Sequence, residues 1–383
     1  MYTPSMLQTL SWYECVRKRP GMYIGGTDEK ALNFCVMELV ANSIEEHLDG
    51  RCSSITVTIH DDRSASLRDD GPGISIAAVR GDNVPFVEKA FTTLYSGSEP
   101  NRKRPYRVLS LHGVGSPCVN AVSEWMVVTT VSEGEEYQIA FNRGKVKEPL
   151  RKCTERKAAR GTTIHFKPDP EIFGDKTFDS HALTKKLEQL AMLHPGLDVW
   201  FVDERPNSIN RALVSHFLFP NGSADYLNLI LPIETRIYPR EPLQISGEEG
   251  GVKVTVAFQF SETMNTWISS FANSTESVLG GTHVGGFLRG LTEAVNEFVG
   301  NRRQFQPHEL RVGLSAIVSV WLANPKWARA WKGELINPEV EQVVRKLTFE
   351  KVRAWVEEIQ KSNNWFIDHM EKQRSRALGE EED

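Results

Sequence analysis

Cysteine is scarce in this chain and carries no pattern. The 383 residues hold five (Cys15, Cys35, Cys52, Cys118, Cys153), with no CxxC pair among them. An odd, scattered set argues against a disulfide framework or zinc site and for reduced thiols, so a cytoplasmic location is expected. Long apolar runs are missing too: none approaches the ~18 residues of a membrane span, and no membrane partner is expected. Met1-Tyr2-Thr3-Pro4-Ser5 has no basic region leading into an apolar core, so no signal peptide is expected. Two common nucleotide signatures, GxxxxGK[ST] and GxGxxG, are absent. Nor is there an excess of positive charge. A net charge of −5 argues against a surface coated for DNA throughout but leaves room for a local basic groove. Arg17-Lys18-Arg19, Arg102-Lys103-Arg104 and Lys185-Lys186 are short basic clusters that equally suit ordinary solvated faces.

What is present is an ordinary globular composition, 40% hydrophobic and 25% charged, long enough for two or three domains. Ala31 to Leu48 reads as a helix, with Leu32, Cys35, Val36, Leu39, Val40 and Ile44 at helical spacing. Glu38, Asn42 and Glu45 fall on its opposite face. Ile55, Val57 and Ile59 alternate as a strand, and a second strand over 64–68 leads into Asp69-Asp70-Gly71-Pro72-Gly73-Ile74. Segments 124–131 and 136–141 flank Ser132-Glu133-Gly134 as a hairpin. Segment 162–166 reads as a strand, 180–193 as a helix and 197–202 as a strand. Beyond about residue 205 the character changes: a strand over 252–260, a helix over 283–299 and a buried strand over 314–322 suggest a second, smaller domain. A long helical pattern without internal Pro or Gly covers 338–378, ahead of an acidic tail.

Three weak signals recur in a suggestive order. Glu38 and Asn42, one turn apart, suit water activation and binding of a hard cation such as Mg²⁺, although the pair also fits a plain solvated helix face. Asp69 heads a glycine turn where a carboxylate can accept a hydrogen bond from an exocyclic amine such as that of adenine, yet Asp-Gly is often only a turn. Leu111-His112-Gly113-Val114-Gly115 precedes an apolar helix-like run, and glycines before a helix N-terminus can hold phosphate. Together they describe a nucleotide pocket.

Arg17-Lys18-Arg19-Pro20-Gly21-Met22-Tyr23-Ile24-Gly25 carries these signals to a resemblance. With Glu38-Leu39-Val40-Ala41-Asn42, Asp69-Asp70-Gly71-x-Gly73, Leu111 to Gly115, Val119-Asn120-Ala121 and Gly161-Thr162, it resembles the ATPase region of bacterial gyrase B and topoisomerase IV proteins. Gly280-Gly281-Thr282-His283 and Asn324-Pro325-Lys326 extend the likeness into the second half. The resemblance implies an α+β fold: a GHKL (Bergerat) ATPase sandwich over 16–215 behind an N-terminal dimerisation arm (1–15), then a ribosomal-S5-like transducer domain over 216–337. A long C-terminal helix and tail (338–383) complete it. It implies ATP and Mg²⁺, with Glu38 as general base, Asn42 as metal ligand and Asp69 as adenine acceptor supported by Thr162. Gly73 and Ile74 would border the base, and Leu111, His112, Gly113, Val114 and Gly115 would hold the phosphates. Lys332 stands where the family's transducer lysine reaches the γ-phosphate, and Tyr2 where an N-terminal arm crosses to the partner's nucleotide.

The departures are specific. Pro72 replaces an arginine that anchors aminocoumarin inhibitors in the family, so such drugs are expected to bind poorly. Glu99 replaces a lid lysine, Leu109-Ser110 a glycine pair and Ala330-Trp331 the first two residues of Gln-Thr-Lys; Leu288 replaces an arginine beside Arg289. These mark a divergent paralogue. No Glu-Gly-Asp-Ser or Asp-x-Asp metal segment appears, so this stretch by itself is expected neither to cut nor to pass DNA. The expected function is ATP hydrolysis driving a homodimeric gate of a type II topoisomerase, with duplex DNA and a gyrase A-like cleavage protein as partners. The alternative is a gyrase-like, nucleotide-gated regulatory protein. A mismatch-repair or Hsp90-type ATPase fits poorly with the Arg17–Gly25 block.

Overall fold

The computed structural model describes residues 10–79, 81–94, 114–153, 159–206, 212–237, 240–263, 265–329, 332–362 and 365–378. Tyr2, Glu99, Leu109, Ser110, Leu111, His112, Gly113, Ala330 and Trp331 lie outside them. The chain forms two compact units, the first running to Phe219 and the second starting at Pro220.

The first unit contains α1 (Trp12–Lys18), α2 (Pro20–Tyr23), α3 (Glu29–Leu48), β1 (Ser54–Ile59), β2 (Ala65–Asp69), α4 (Phe86–Thr92) and α5 (Gly115–Ala121). It continues through β3 (Ser123–Ser132), β4 (Glu135–Asn142), β5 (Lys145–Lys152), β6 (Thr162–Pro168), α6 (Pro170–Phe173), α7 (Ser180–Leu193), β7 (Asp198–Asp203) and β8 (Leu213–Phe217). The strands make one sheet in the order β5-β4-β3-β6-β2-β1-β7-β8, antiparallel except for β1 beside β7. Alternation decides its faces. In β1, Ile55, Val57 and Ile59 are fully buried while Ser54, Thr56 and Thr58 are partly exposed. Helix α3 packs on β2, α5 on β3 and β4, and α7 on β7 and β8. The charged run of β5 hid it as a strand: Lys145, Lys147, Glu148, Arg151 and Lys152, with Pro149, make a sheet edge that resists further pairing.

Arg17 of the basic cluster serves the fold. Its guanidinium reaches Asp169 (2.7 Å) and Glu171 (2.9 Å) and donates to Ala121 O, and Arg143 binds Asp169 from another side. Burial pushes the Asp169 carboxyl up, but Arg143, the Glu171 N–H and Arg17 outweigh it and hold it below its ordinary value.

The second unit contains α8 (Ser223–Ile230), β9 (Leu243–Glu249), β10 (Val252–Phe260), β11 (Trp267–Ala272), β12 (Thr275–Glu276), α9 (Thr282–Asn296), β13 (Leu314–Trp321), α10 (Pro338–Ser362) and α11 (Trp365–Leu378). Its sheet runs β12-β11-β13-β10-β9, with only β11 and β13 parallel. Every residue of β13 is buried, its apolar run interrupted only by the small serines Ser315 and Ser319. The helical stretch expected over 338–378 falls in two pieces. Trp355 and Phe366 have ring centroids 5.0 Å apart. A continuous helix would separate them by about 16 Å at its usual rise, so α11 turns back. Phe366, Ile367 and Met370 join the core, and Gln373 donates to Ser261 O.

Candidate functional site

Helix α3 supplies the first three groups. Asp28 caps it by accepting from the Ala31 N–H at 3.0 Å. Glu38 is only 3% exposed, so the solvated-face reading does not apply to it. It lies against the start of α5: a Cβ on Gly115 would come within 2.1 Å of Glu38 Oε2. Glycine at 115 therefore leaves the carboxylate its place. Burial, with the Glu38 charge alongside, pushes the Cys118 thiol up to about 12 and raises Cys35 as well. Asn42 is exposed one turn on, and its Nδ2 donates to Ser116 Oγ at 3.0 Å.

Ser43 links α3 to the end of β2, its hydroxyl donating to Asp69 Oδ2 at 2.7 Å. The other Asp69 oxygen accepts from the Gly71 N–H (2.9 Å) and the Thr162 N–H (3.2 Å). Burial raises the Asp69 pKa, and these three donors only partly offset it. Its neighbour Asp70 is differently placed. Burial is overcome there by the Ser53 hydroxyl and the Ser53 and Ser54 N–H groups, which bring Asp70 down to about 2. The adjacent acids thus divide: Asp70 fastens the turn to β1, and Asp69 is the carboxylate set beside glycines.

Those glycines shape a cradle. At Gly161 (φ +137°) a Cβ would meet the Asp69 carbonyl at 2.1 Å, and at Gly73 (φ +80°) the Val131 carbonyl at 2.1 Å. Thr162 pairs with Asp69 on one side and Thr130 on the other. The buried Thr130 hydroxyl accepts from the Ile74 N–H (2.6 Å) and donates to the Ile74 carbonyl (3.2 Å), fixing the 71–74 turn. Pro72 is exposed on that turn.

Contacts among described residues thus bring together Glu38, Asn42, Asp69, Gly73, Ile74, Gly115 and Thr162, with Val114 capping α5. Lys332 belongs to the second unit, in a loop between β13 and α10. Ser43, Ser116 and Thr130 were missed in the sequence. Ser43 follows Asn42 directly and Ser116 follows Gly115, but nothing in the alternation of β3 singles out Thr130. A separate open cavity of about 620 Å³, lined by Asp61, Asp203 and Arg205 among others, lies at the opposite end of β1. Its Arg205 is committed to Asp203, Ser180, Thr177 and the Phe178 carbonyl, a clamp within the fold.

Residues 27–172 match the family of histidine kinase-, DNA gyrase B-, and HSP90-like ATPases. The first unit therefore defines the chain as an ATPase of that class. Residues 222–382 match the DNA gyrase B family. The chain is 36% identical over 369 residues to the DNA gyrase B protein of Clostridium acetobutylicum, covering 94% of itself and 56% of that protein. Against the gyrase B protein of Thermus thermophilus it is 36% identical over 366 residues, covering 93% of itself and 57% of that protein. It thus spans a little over half the length of these curated relatives. Among solved structures, it superposes on the 43K ATPase domain of Thermus thermophilus gyrase B, solved with an aminocoumarin, at a TM-score of 0.81 and 32% identity, covering 96% of this chain and 95% of that one. The ATP-binding domain of Francisella tularensis topoisomerase IV, solved with a small-molecule inhibitor, gives 0.74 at 25% identity, with 97% and 99% covered. The chain belongs to the DNA gyrase B family and carries its GHKL ATPase-plus-transducer region.

Proposed function

We propose that this chain binds and hydrolyses ATP and that nucleotide binding closes a homodimeric gate of a type II DNA topoisomerase. The observation that carries the reading is the pairing of a buried carboxylate, Glu38 against Gly115, with a second carboxylate, Asp69, in a glycine-lined cradle. Asp69 accepts the adenine amine, and its raised pKa fits a site completed by a donor from the ligand. Glu38 takes the proton of the attacking water. Asn42 fits as the ligand of Mg²⁺, since that ion commonly takes one or two protein oxygens and the substrate's phosphates; when bound it supplies charge neutralisation there. The run 111–115 holds the phosphates through backbone N–H groups, Lys332 supplies a cation to the γ-phosphate, and Tyr2 belongs to the dimerisation arm.

The proposed division is an arm over 1–15, an ATPase domain over 16–215, a transducer domain over 216–337 and C-terminal helices over 338–383. A cytoplasmic location, duplex DNA and a gyrase A-like cleavage protein complete the proposal. The gyrase B relatives favour this gate over a regulatory protein without topoisomerase function.

The test is Glu38→Ala. ATP affinity should stay near wild type while kcat falls by about 10²–10⁴, the usual contribution of a general base. Full turnover in that variant would remove Glu38 from the mechanism.

A further inference from the structure

The backbone around Lys332 is held by an unusual set of contacts. Lys332 itself has φ +59°, a left-handed conformation rare for a side-chain-bearing residue. The residues after it form the middle of a small backbone ladder centred on Leu335, which is fully buried. On one side the Ala328 N–H donates to Glu334 O (3.0 Å) and the Ile336 N–H to Lys326 O (2.9 Å). On the other, the Leu279 N–H donates to Gly333 O (2.9 Å), the Leu335 N–H to Gly280 O (3.1 Å) and the Thr282 N–H to Leu335 O (2.9 Å). Asn337 closes the base of the loop, accepting from the Lys326 N–H at 2.6 Å and donating to Asn324 O at 3.1 Å. Residues 279–281 lead directly into α9, so the ladder ties the residues that follow Lys332 to the start of that helix.

Gly281 is what permits the ladder. Its φ is +135°, and a Cβ there would lie 2.2 Å from Leu335 O and 2.6 Å from Leu335 N. Both are backbone atoms, so no rotamer change relieves the clash. The helix beyond is itself firmly seated. Cβ atoms on Gly286 and Gly290 would come within 2.5 Å of Glu341 O and 2.4 Å of Arg345 O, so the α9 and α10 backbones touch with nothing between them.

We propose that Gly281 is a positioning residue for Lys332: by letting residues 279–282 pair with 333–335, it fixes the lysine that senses the γ-phosphate. This rests on the proposed role of Lys332 as the cation at the γ-phosphate. Gly281 touches no ligand and acts only through the lysine, so its effect belongs to nucleotides that carry a γ-phosphate.

The experiment compares affinities for ADP and for a β,γ-imido ATP analogue by calorimetry in wild type, Gly281→Ala, Thr282→Pro, Lys332→Ala and both double variants with Lys332→Ala. Thr282→Pro removes one ladder donor at the first residue of α9, where proline is tolerated, and carries the test where Gly281→Ala does not fold. Each single variant should keep wild-type ADP affinity and lose about tenfold or more of the preference for the analogue, the size of one charge-assisted contact. The double variants should match Lys332→Ala alone, since groups acting as one unit do not add. Wild-type preference in Gly281→Ala and Thr282→Pro, with loss in Lys332→Ala, overturns the ladder inference and leaves the lysine reading standing. Additive double variants overturn it likewise. Wild-type preference in Lys332→Ala overturns the lysine reading and this inference with it.

Discussion

At the scale of the residue, the adjacent acids Asp69 and Asp70 are told apart only by what surrounds them. A carboxyl whose pKa is raised by burial is penalised when ionised in the folded state, so removing the charge of Asp69 costs the fold little. Asp69→Asn should therefore stay within about 1 kcal/mol of wild type in a urea melt. Its ATP affinity, measured by calorimetry, should fall about tenfold or more, as expected when a charged acceptor is lost. Asp70 behaves in the opposite sense. Its pKa falls from an ordinary 3.8 to about 2, so it stabilises the fold above the higher value and loses that contribution as pH drops through the lower. Asp169, also lowered, has the same sign. Acid unfolding followed by circular dichroism should thus steepen between 3.8 and about 2, and Asp70→Asn should flatten that part of the curve. The identity of Asp69 as a candidate was legible in the Asp-Gly-x-Gly turn. Its partners Ser43 and Thr130 were not, because each reaches it, or the turn beside it, from an element distant in sequence.

At the scale of the element, α3 and β13 follow closely from pattern, because apolar residues recur at the helical interval in one and make up all but Ser315 and Ser319 of the other. Elements with weak patterns escaped. Strand β5 is written in lysine, arginine and glutamate, and α1 is short and carries Arg17, which Asp169 and Glu171 hold. The contact of α9 with α10 is likewise invisible from either helix alone. Alanine at Gly286 or Gly290 would improve helix propensity, yet its Cβ would meet backbone atoms of α10. Overpacking should dominate, and each substitution is expected to lower the stability of the second unit by about 1–3 kcal/mol, read as a lower melting temperature. A rise in melting temperature would show that α9 and α10 can move apart at no cost.

At the scale of the molecule, the gate reading makes a kinetic demand. If nucleotide closes a dimer, ATPase specific activity should rise with protein concentration, and the β,γ-imido analogue should convert monomer to dimer in light scattering. Specific activity independent of concentration, with a monomer throughout, would sink the gate. The sequence by itself determined the family, because short blocks such as Arg17–Gly25 and Asp69–Gly73 are specific in residue type and order. It also determined the long helices and most strands, because burial on one face imposes a period of two or 3.6. Only the tertiary structure decided that Glu38 is buried against Gly115, that Asp70 is bonded into the fold at Ser53 and Ser54, and that Gly281 meets the backbone of Leu335. Those outcomes depend on approaches of a few ångströms between segments tens of residues apart, and no local pattern encodes such a distance.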